Sequence, residues 1–303
     1  MPPVIHIGPD DRPDLEDAVR EGGGEPGPLD GADGVVWVSG DPESLPALPD
    51  SVRWVQLPSA GVEHWLDAGT LTGERSFTSA VGAFGLPVAE HALSLMLACD
   101  KALPAFARRR TWDDGAPPDV RALEGATVAI VGAGGIGRAL IGLLEPFGTE
   151  VLAVTRRGRA VRGAARTLPA DRLGEVWPAA RHVVIAAPAT AGTHHLVGAR
   201  ELGAMREDAF LINVARGTLV DTDALVEALR DGAIAGAALD VTDPEPLPDD
   251  HPLWQLDNVL ITPHVGTPPE AERRHFAERV RENVRRLAAG GDLLGVIDVE
   301  SGY

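Results

Sequence analysis

Cysteine and lysine are almost missing from this sequence. Among its 303 residues there is one cysteine, Cys99, and one lysine, Lys101. A single thiol excludes an internal disulfide and a cysteine-based zinc site. A single lysine excludes a Walker-type Gly-Lys-Ser/Thr phosphate loop and most Schiff-base chemistry. The basic side chains are otherwise arginine, a bias read as genomic composition. Positive charge is scarce as well: 27 Lys and Arg stand against 45 Asp and Glu, a net charge of −18. That balance argues against a nucleic-acid partner, whose phosphates demand a basic face. Small anionic ligands stay compatible with it, because a local arginine cluster can oppose the global field. No apolar run approaches the ~20 residues of a membrane helix. The opening residues, Met1-Pro2-Pro3-Val4-Ile5-His6-Ile7-Gly8, lack the basic and long apolar regions of a signal peptide. The expectation is a cytoplasmic protein with no metal site.

What is present is an ordinary globular composition, 44% hydrophobic and 24% charged, with length for about two domains of ~150 residues. Short apolar runs at Val4–Ile7, Val35–Val38 and Val52–Leu57 read as buried parallel strands. A long helix is expected from Val88 to about Arg109, kinked at Pro104. Trp112 to Asp119, with Pro117-Pro118, reads as a connector. A second alternating block follows, with strands expected at Thr127–Val131, Glu150–Val154, His182–Ala187, Phe210–Val214, Gly236–Asp240 and Val259–Thr262. Helical patterns between them are the signature of βαβ units and a parallel sheet. Glu270 to Leu287 is a charged amphipathic helix, and Leu293 to Tyr303 is a last apolar run with a polar end.

Gly132-Ala133-Gly134-Gly135-Ile136-Gly137 matches Gly-x-Gly-x-x-Gly. It follows the Thr127–Val131 strand directly and opens a helix expected over Arg138–Phe147. The Glu150–Val154 strand then closes a βαβ unit, and that context makes the glycines a dinucleotide fingerprint. Gly132 permits the tight turn, Gly134 lets backbone amides approach a pyrophosphate, and Gly137 lets helix pack on strand. The anion then sits at a helix N-terminus. About 125 residues precede the fingerprint, enough for a separate domain.

Three polar residues share one edge of the expected sheet. Arg216 lies two residues after the Phe210–Val214 strand, Glu245 five after Gly236–Asp240, and His264 two after Val259–Thr262. In parallel strands all three emerge at the carboxyl ends, on the edge of the glycine loop, where open α/β sheets bind ligands. Hydride transfer to a carbonyl needs a proton donor and an anion-orienting cation there. His264 would supply the proton, Glu245 would hold its imidazolium and Arg216 would bind an acidic substrate.

These motifs carry a resemblance. Ile212-Asn213-Val214-Ala215-Arg216-Gly217, Leu239 through Pro248, Thr262-Pro263-His264-Val265-Gly266 and Val131 through Gly137 resemble the D-isomer-specific 2-hydroxyacid dehydrogenase family. The intervals agree, 29 residues from Arg216 to Glu245 and 19 from Glu245 to His264. The resemblance implies an α/β protein of two flavodoxin- or Rossmann-like domains with parallel sheets and a cleft between them. Its substrate domain is discontinuous, here residues 1–96 plus 271–303, and its dinucleotide-binding domain is 97–270. It implies a homodimer, with Val88–Arg109 as the crossing and dimerisation helix. Arg216, Glu245 and His264 match the catalytic residues, and Asp240 matches the residue holding the nicotinamide carboxamide. Pro188 and Thr193 match positions lining the cofactor, and Gly135, Ile136, Val214, Ala215 and Gly266 join that set within the matched motifs. Ser59-Ala60-Gly61-Val62 resembles a loop whose amides bind the substrate carboxylate, which makes Ala60 and Gly61 substrate-binding. His91 reads as structural on the long helix. A metal role for His194-His195 is set aside, because adjacent histidines point apart and no carboxylate partner is evident.

The implied activity is NAD(P)-dependent interconversion of a small 2-keto acid, such as glyoxylate or hydroxypyruvate, with its D-2-hydroxy acid. One departure bears on the cofactor. Where NAD-specific members carry an acidic residue after the second strand, this chain has Thr155, followed by Arg156 and Arg157. No carboxylate is there to hold the ribose diol or repel a 2′-phosphate, so NADP is the expected cofactor, with NAD possible. Two other functions stay open: a nucleotide-sensing, corepressor-like binding protein on this fold, and a formate dehydrogenase-like enzyme. The formate branch carries glutamine where Glu245 stands, and the lack of long terminal tails favours an enzyme over a corepressor.

Overall fold

The computed structural model describes residues 1–112 and 119–299. The chain divides into a first unit, Met1–Phe84 with the segment from Pro268 onward, and a second, Gly85–Thr267. The first contains β1 (Val4–Gly8), α1 (Pro13–Glu21), β2 (Glu25–Pro26), β3 (Gly34–Trp37), β4 (Trp54–Gln56), α2 (Glu63–Asp67) and β5 (Ser76–Thr78). Its five strands pair in the order β2-β1-β3-β4-β5, all parallel. Alternate residues feed opposite faces, as the two-residue period of a strand requires. Val35, Trp37, Val55 and Leu57 join one core, while Ile5, Val36 and Trp54 join another with Leu15 and Val19 of α1. β2 and β5 have two and three residues, Glu-Pro and Ser-Phe-Thr, with no apolar run to announce them.

The second unit contains α3 (Gly85–Asp100), α4 (Leu103–Arg108), β6 (Thr127–Val131), α5 (Gly135–Leu144), β7 (Glu150–Thr155), β8 (Arg166–Pro169) and β9 (His182–Ile185). It continues with α6 (Ala199–Ala204), β10 (Phe210–Asn213), α7 (Thr222–Arg230), β11 (Gly236–Leu239) and β12 (Val259–Ile261). Seven parallel strands run in the order β12-β11-β10-β9-β6-β7-β8. Both faces are covered. Val128, Ile130, Val184 and Ile212 pack on α3 and α5, while Val131, Val183, Ile185 and Leu211 pack on Leu202 of α6 and Leu225 of α7. Strands buried on both faces explain the uninterrupted Val/Ile/Ala runs. The chain then returns to the first unit as α8 (Pro269–Ala288), whose Phe276, Val280 and Val284 join the core of α1.

Two expectations are corrected. The long helix is two: α3 ends at Asp100, Ala102 has φ of 49°, and α4 begins at Leu103 with Pro104 in its first turn. A proline ring there clashes with the carbonyl four residues back, which ends the helix rather than kinking it. By packing, the two units meet in sequence at residues 84 and 85 and at 267 and 268. All of α3 belongs to the second unit because it packs on α5, β10 and β11. Helix α5 starts at Gly135, not Arg138. Of the expected connector Trp112–Asp119, residues 113–118 lie outside the described residues. Among the described residues no helix is long and apolar enough to cross a membrane.

Candidate active site

The order of the seven strands reverses between β6 and β9, and a crevice opens at the carboxyl ends of strands at such a switch point. The glycine turn sits there. Gly132 has φ of 97°, and a Cβ on it would lie 2.5 Å from the backbone of Ala187, so two loops meet where only glycine fits. Its amide and that of Ala133 both donate to the Val154 carbonyl, at 3.0 Å. A Cβ on Gly137 would lie 2.9 Å from the Gly132 carbonyl and the Ile130 side chain. On Gly134, the N-cap of α5, a Cβ would meet nothing within 4 Å. The space beside Gly134 is therefore open, at the end of the helix whose first amides carry the positive dipole that favours an anion.

These residues fit a dinucleotide. Thr155, at the end of β7, carries a buried hydroxyl oxygen without a hydrogen-bond partner, next to the Val154 carbonyl that holds the turn. Arg156 and Arg157 follow it and are exposed. After β9, the Thr193 hydroxyl donates to the Pro188 carbonyl at 2.8 Å and accepts from the Thr190 amide at 2.8 Å, which folds that loop over the same edge.

The turn after β10 is held by a residue whose role was not read from the sequence. Asn213 is 1% exposed. Its Oδ1 accepts from the Ala215 amide at 3.1 Å and its Nδ2 donates to the Arg216 carbonyl at 2.8 Å. Val214, Ala215 and Arg216 are thereby presented at the strand end, with the Arg216 guanidinium donating to the Ala215 carbonyl at 2.7 Å. A polar side chain closing an otherwise apolar strand was the available signal.

Asp240, just past β11, is 3% exposed. Its Oδ1 accepts from the Thr262 hydroxyl at 2.6 Å and the Val265 amide at 2.9 Å, and its Oδ2 from the Gly266 amide at 2.9 Å. The Nε2 of His91 on α3 lies 3.2 Å from Oδ1. Burial alone would raise this carboxyl's pKa, but His91, Thr262 and the Val265 amide together bring it down to about 2. A carboxylate has about four acceptor directions, so Oδ2 keeps one, as a carboxamide ligand would need. The residues around it form a tight turn. His264 has φ of 53°, and its amide donates to the carbonyls of Asp240, at 2.8 Å, and Thr262, at 3.0 Å.

That turn delivers the His264 ring to Glu245. Nδ1–H donates to Oε1 at 2.6 Å, with both side chains about half exposed. The Glu245 loop is itself tied down, since Thr222 Oγ1 donates to the Asp243 carbonyl at 2.7 Å and Thr242 Oγ1 to that of Pro244 at 2.9 Å. Glu245 fixes one ring nitrogen and leaves Nε2 for proton exchange. Ala60 and Gly61 lie in the first unit after β4, where Ser59 Oγ donates to the Gly61 carbonyl at 2.6 Å. One expectation fails in its reason. The His194 and His195 rings do not point apart but stack at 4.0 Å, and Asp221 lies 3.8 Å from His195, because His195 adopts φ of 49°. No group of three metal-ligating side chains occurs among the described residues.

Residues 93–266 match the model of the D-isomer specific 2-hydroxyacid dehydrogenase NAD binding domain. An uncharacterized protein in the proB 3′ region of Corynebacterium melassecola is 39% identical over 94% of this chain and 95% of its own length. A glyoxylate reductase of Thermofilum pendens is 33% identical over 82% of this chain and 76% of its own. A D-isomer specific 2-hydroxyacid dehydrogenase from Xanthobacter autotrophicus Py2, solved in complex with NADPH and MES, superposes with a TM-score of 0.80. Its identity is 27%, over 100% of both chains.

Proposed function

The chain belongs to the D-isomer specific 2-hydroxyacid dehydrogenase family, and from that membership we propose that it reduces a small 2-keto acid, of the size of glyoxylate or hydroxypyruvate, to its D-2-hydroxy acid. The observation that carries this reading is the 2.6 Å His264–Glu245 hydrogen bond on the strand edge that also bears Arg216 and the glycine turn. A bound reduced nicotinamide supplies the hydride. His264 Nε2 donates the proton to the carbonyl oxygen, so that C=O gains H⁻ and H⁺ and becomes CH–OH. Glu245 keeps Nδ1–H in place and stabilises the imidazolium before the proton leaves. Arg216 offers a planar fork to the substrate's carboxylate or carbonyl. Asp240 would hold the nicotinamide carboxamide of a bound cofactor.

NADPH is the preferred reductant in this reading. Thr155, Arg156 and Arg157 offer a hydroxyl and two guanidiniums where a ribose-binding carboxylate would repel a 2′-phosphate. The Xanthobacter relative's complex with NADPH supports the choice. The protein is proposed to work as a cytoplasmic homodimer.

One experiment tests the proposal: spectrophotometric turnover of a 2-keto acid panel with NADPH and NADH. Wild type is compared with His264→Ala and with Arg156→Ala/Arg157→Ala. His264→Ala is expected to lower kcat by about two orders of magnitude or more. Wild type is expected to favour NADPH about tenfold to hundredfold in kcat/KM, and the double arginine variant to lose that preference. Unchanged turnover in His264→Ala sinks the catalytic assignment. Equal kcat/KM for the two cofactors in wild type sinks the NADP assignment alone. NADPH binding without turnover of any panel member would make the chain a nucleotide-sensing protein instead.

A further inference from the structure

His91 lies 171 positions from Thr262 in sequence, yet its Nε2 is 3.0 Å from the Thr262 hydroxyl and 3.2 Å from Asp240 Oδ1. The direction of these bonds follows from what each atom can do. An ionised carboxylate only accepts. The Thr262 hydroxyl has one proton, and at 2.6 Å it gives it to Asp240 Oδ1. Both atoms facing the imidazole are therefore acceptors, so Nε2 carries a proton. Apart from His91, no ionisable side chain bonds to Asp240 among the described residues; its remaining donors are the Thr262 hydroxyl and two backbone amides.

Those two amides belong to Val265 and Gly266, the residues that follow His264. The same carboxylate thus grips the chain on both sides of the histidine, at Thr262 and at Val265-Gly266. Helix α3 also approaches this turn. A Cβ on Gly266 would lie 2.9 Å from Asp240 Oδ2 and 3.7 Å from both His91 Cδ2 and Val88 Cγ2. The second unit begins at Gly85 and ends at Thr267, so this node joins the first helix of the unit to its last turn.

We propose that His91 is a positioning residue for the reduction: its Nε2–H sets the Asp240 carboxylate and the Thr262 hydroxyl, and through them the turn that aims His264. The proposal rests on the reading of His264 as proton donor. Without the His91 donor, Asp240 loses the only cationic or imidazole partner it has among the described residues, and its Oδ1 is free to rotate away from Thr262 and Val265. His264 then loses its register with Glu245, and Oδ2 loses its aim at a carboxamide. A misplacement of ~1 Å at such a site costs about a hundredfold in rate.

The test compares wild type, His91→Gln and His91→Leu. Gln places an amide N–H close to the position of Nε2, while Leu fills the volume without a donor. Three quantities are measured: kcat and KM for glyoxylate with NADPH, the NADPH Kd from the emission of the bound dinucleotide, and the protonation of the His91 ring by long-range 15N–1H NMR. The expectation for His91→Leu is a kcat about tenfold to a hundredfold lower, with KM for glyoxylate little changed, and a weaker NADPH Kd. His91→Gln is expected to recover both to within about threefold of wild type. A purely structural role would lower the thermal midpoint of both variants alike and leave kcat per folded molecule intact, which overturns the proposal. So does a wild-type ring whose Nε2 carries no proton. If wild type turns over no keto acid, the reductase reading fails by itself, while the NMR and NADPH measurements still decide the role of His91.

Discussion

A buried carboxylate held by donors rather than by a full ion pair makes a pH-dependent contribution to stability, and Asp240 is that residue here. Its folded pKa is lowered from 3.8 to about 2, with the cost of burial outweighed by the donors from His91, Thr262 and Val265. The depressed value means stabilisation present above pH ~4 and lost as pH falls toward ~2, on the order of 2 kcal/mol for this group. Asp240→Asn is therefore expected to be less stable than wild type at neutral pH. Urea unfolding followed from pH 6 downward should show the gap narrowing between about pH 4 and pH 2. A gap of constant size across that window would mean that Asp240 does not gain its charge from this network. Asn213 illustrates the same economy without charge, since one buried amide satisfies two backbone groups of the Val214–Arg216 turn.

At the scale of elements, two glycines predict opposite outcomes. Gly217 opens the short 3₁₀ turn Gly217–Leu219 directly after Arg216. A Cβ there would fall inside the Thr242 carbonyl, so the loops after β10 and β11 touch backbone to backbone. Gly217→Ala has to push apart the two loops that carry Arg216 and Glu245. Differential scanning calorimetry should register a loss of about 1–3 kcal/mol or more, and kcat/KM should fall with it. Gly142 lies inside α5, exposed, with nothing within 4 Å of a Cβ. Gly142→Ala should raise stability by up to ~1 kcal/mol through helix propensity. A neutral Gly217→Ala would show that the loops can separate without consequence. The α3–α4 break follows equally local rules, because in an unbroken helix the Pro104 ring would clash with the carbonyl of Asp100.

The whole molecule is an acidic chain folded as two parallel-sheet units, with the first one completed by the returning α8. Gln56 of β4, Thr78 of β5 and Asn283 of α8 are all 0% exposed. Asn283 Nδ2 donates to Gln56 Oε1 at 2.8 Å across 227 positions of sequence, and Thr78 Oγ1 reaches the same oxygen at 3.0 Å. A polar network satisfied to this degree fixes how α8 docks on its sheet. In the second unit, α4 leaves Leu103 and Phe106 exposed at 53% and 37%. The proposed homodimer would bury apolar surface of this kind. Sedimentation velocity at micromolar concentration is expected to show a dimer, and Leu103→Glu/Phe106→Glu a shift toward monomer. A monomer in wild type would refute the assembly.

The family, and the position of Arg216, Glu245 and His264 on one edge of the sheet, were legible in the residues themselves because they depend on local geometry. A Gly-x-Gly-x-x-Gly between strand and helix can do little else, and side chains a few residues past parallel strands emerge on a common edge whatever the rest of the chain does. Arg216, Glu245 and His264 could therefore be placed on one edge from spacing alone, and the 2.6 Å contact between two of them followed. Contacts across long stretches of sequence left no such trace. Periodicity placed His91 on a helix, but only folding brought it to Asp240, because packing α3 on the sheet is a matter of shape rather than of order along the chain. β2, β5 and β8 escaped detection because Glu25–Pro26, Ser76–Thr78 and Arg166–Pro169 hold no apolar run. The stacking of His194 on His195 escaped because it depends on one backbone angle that no residue type demands. Spacing assigned these side chains to one edge of the sheet, while long-range packing set which donors hold them there.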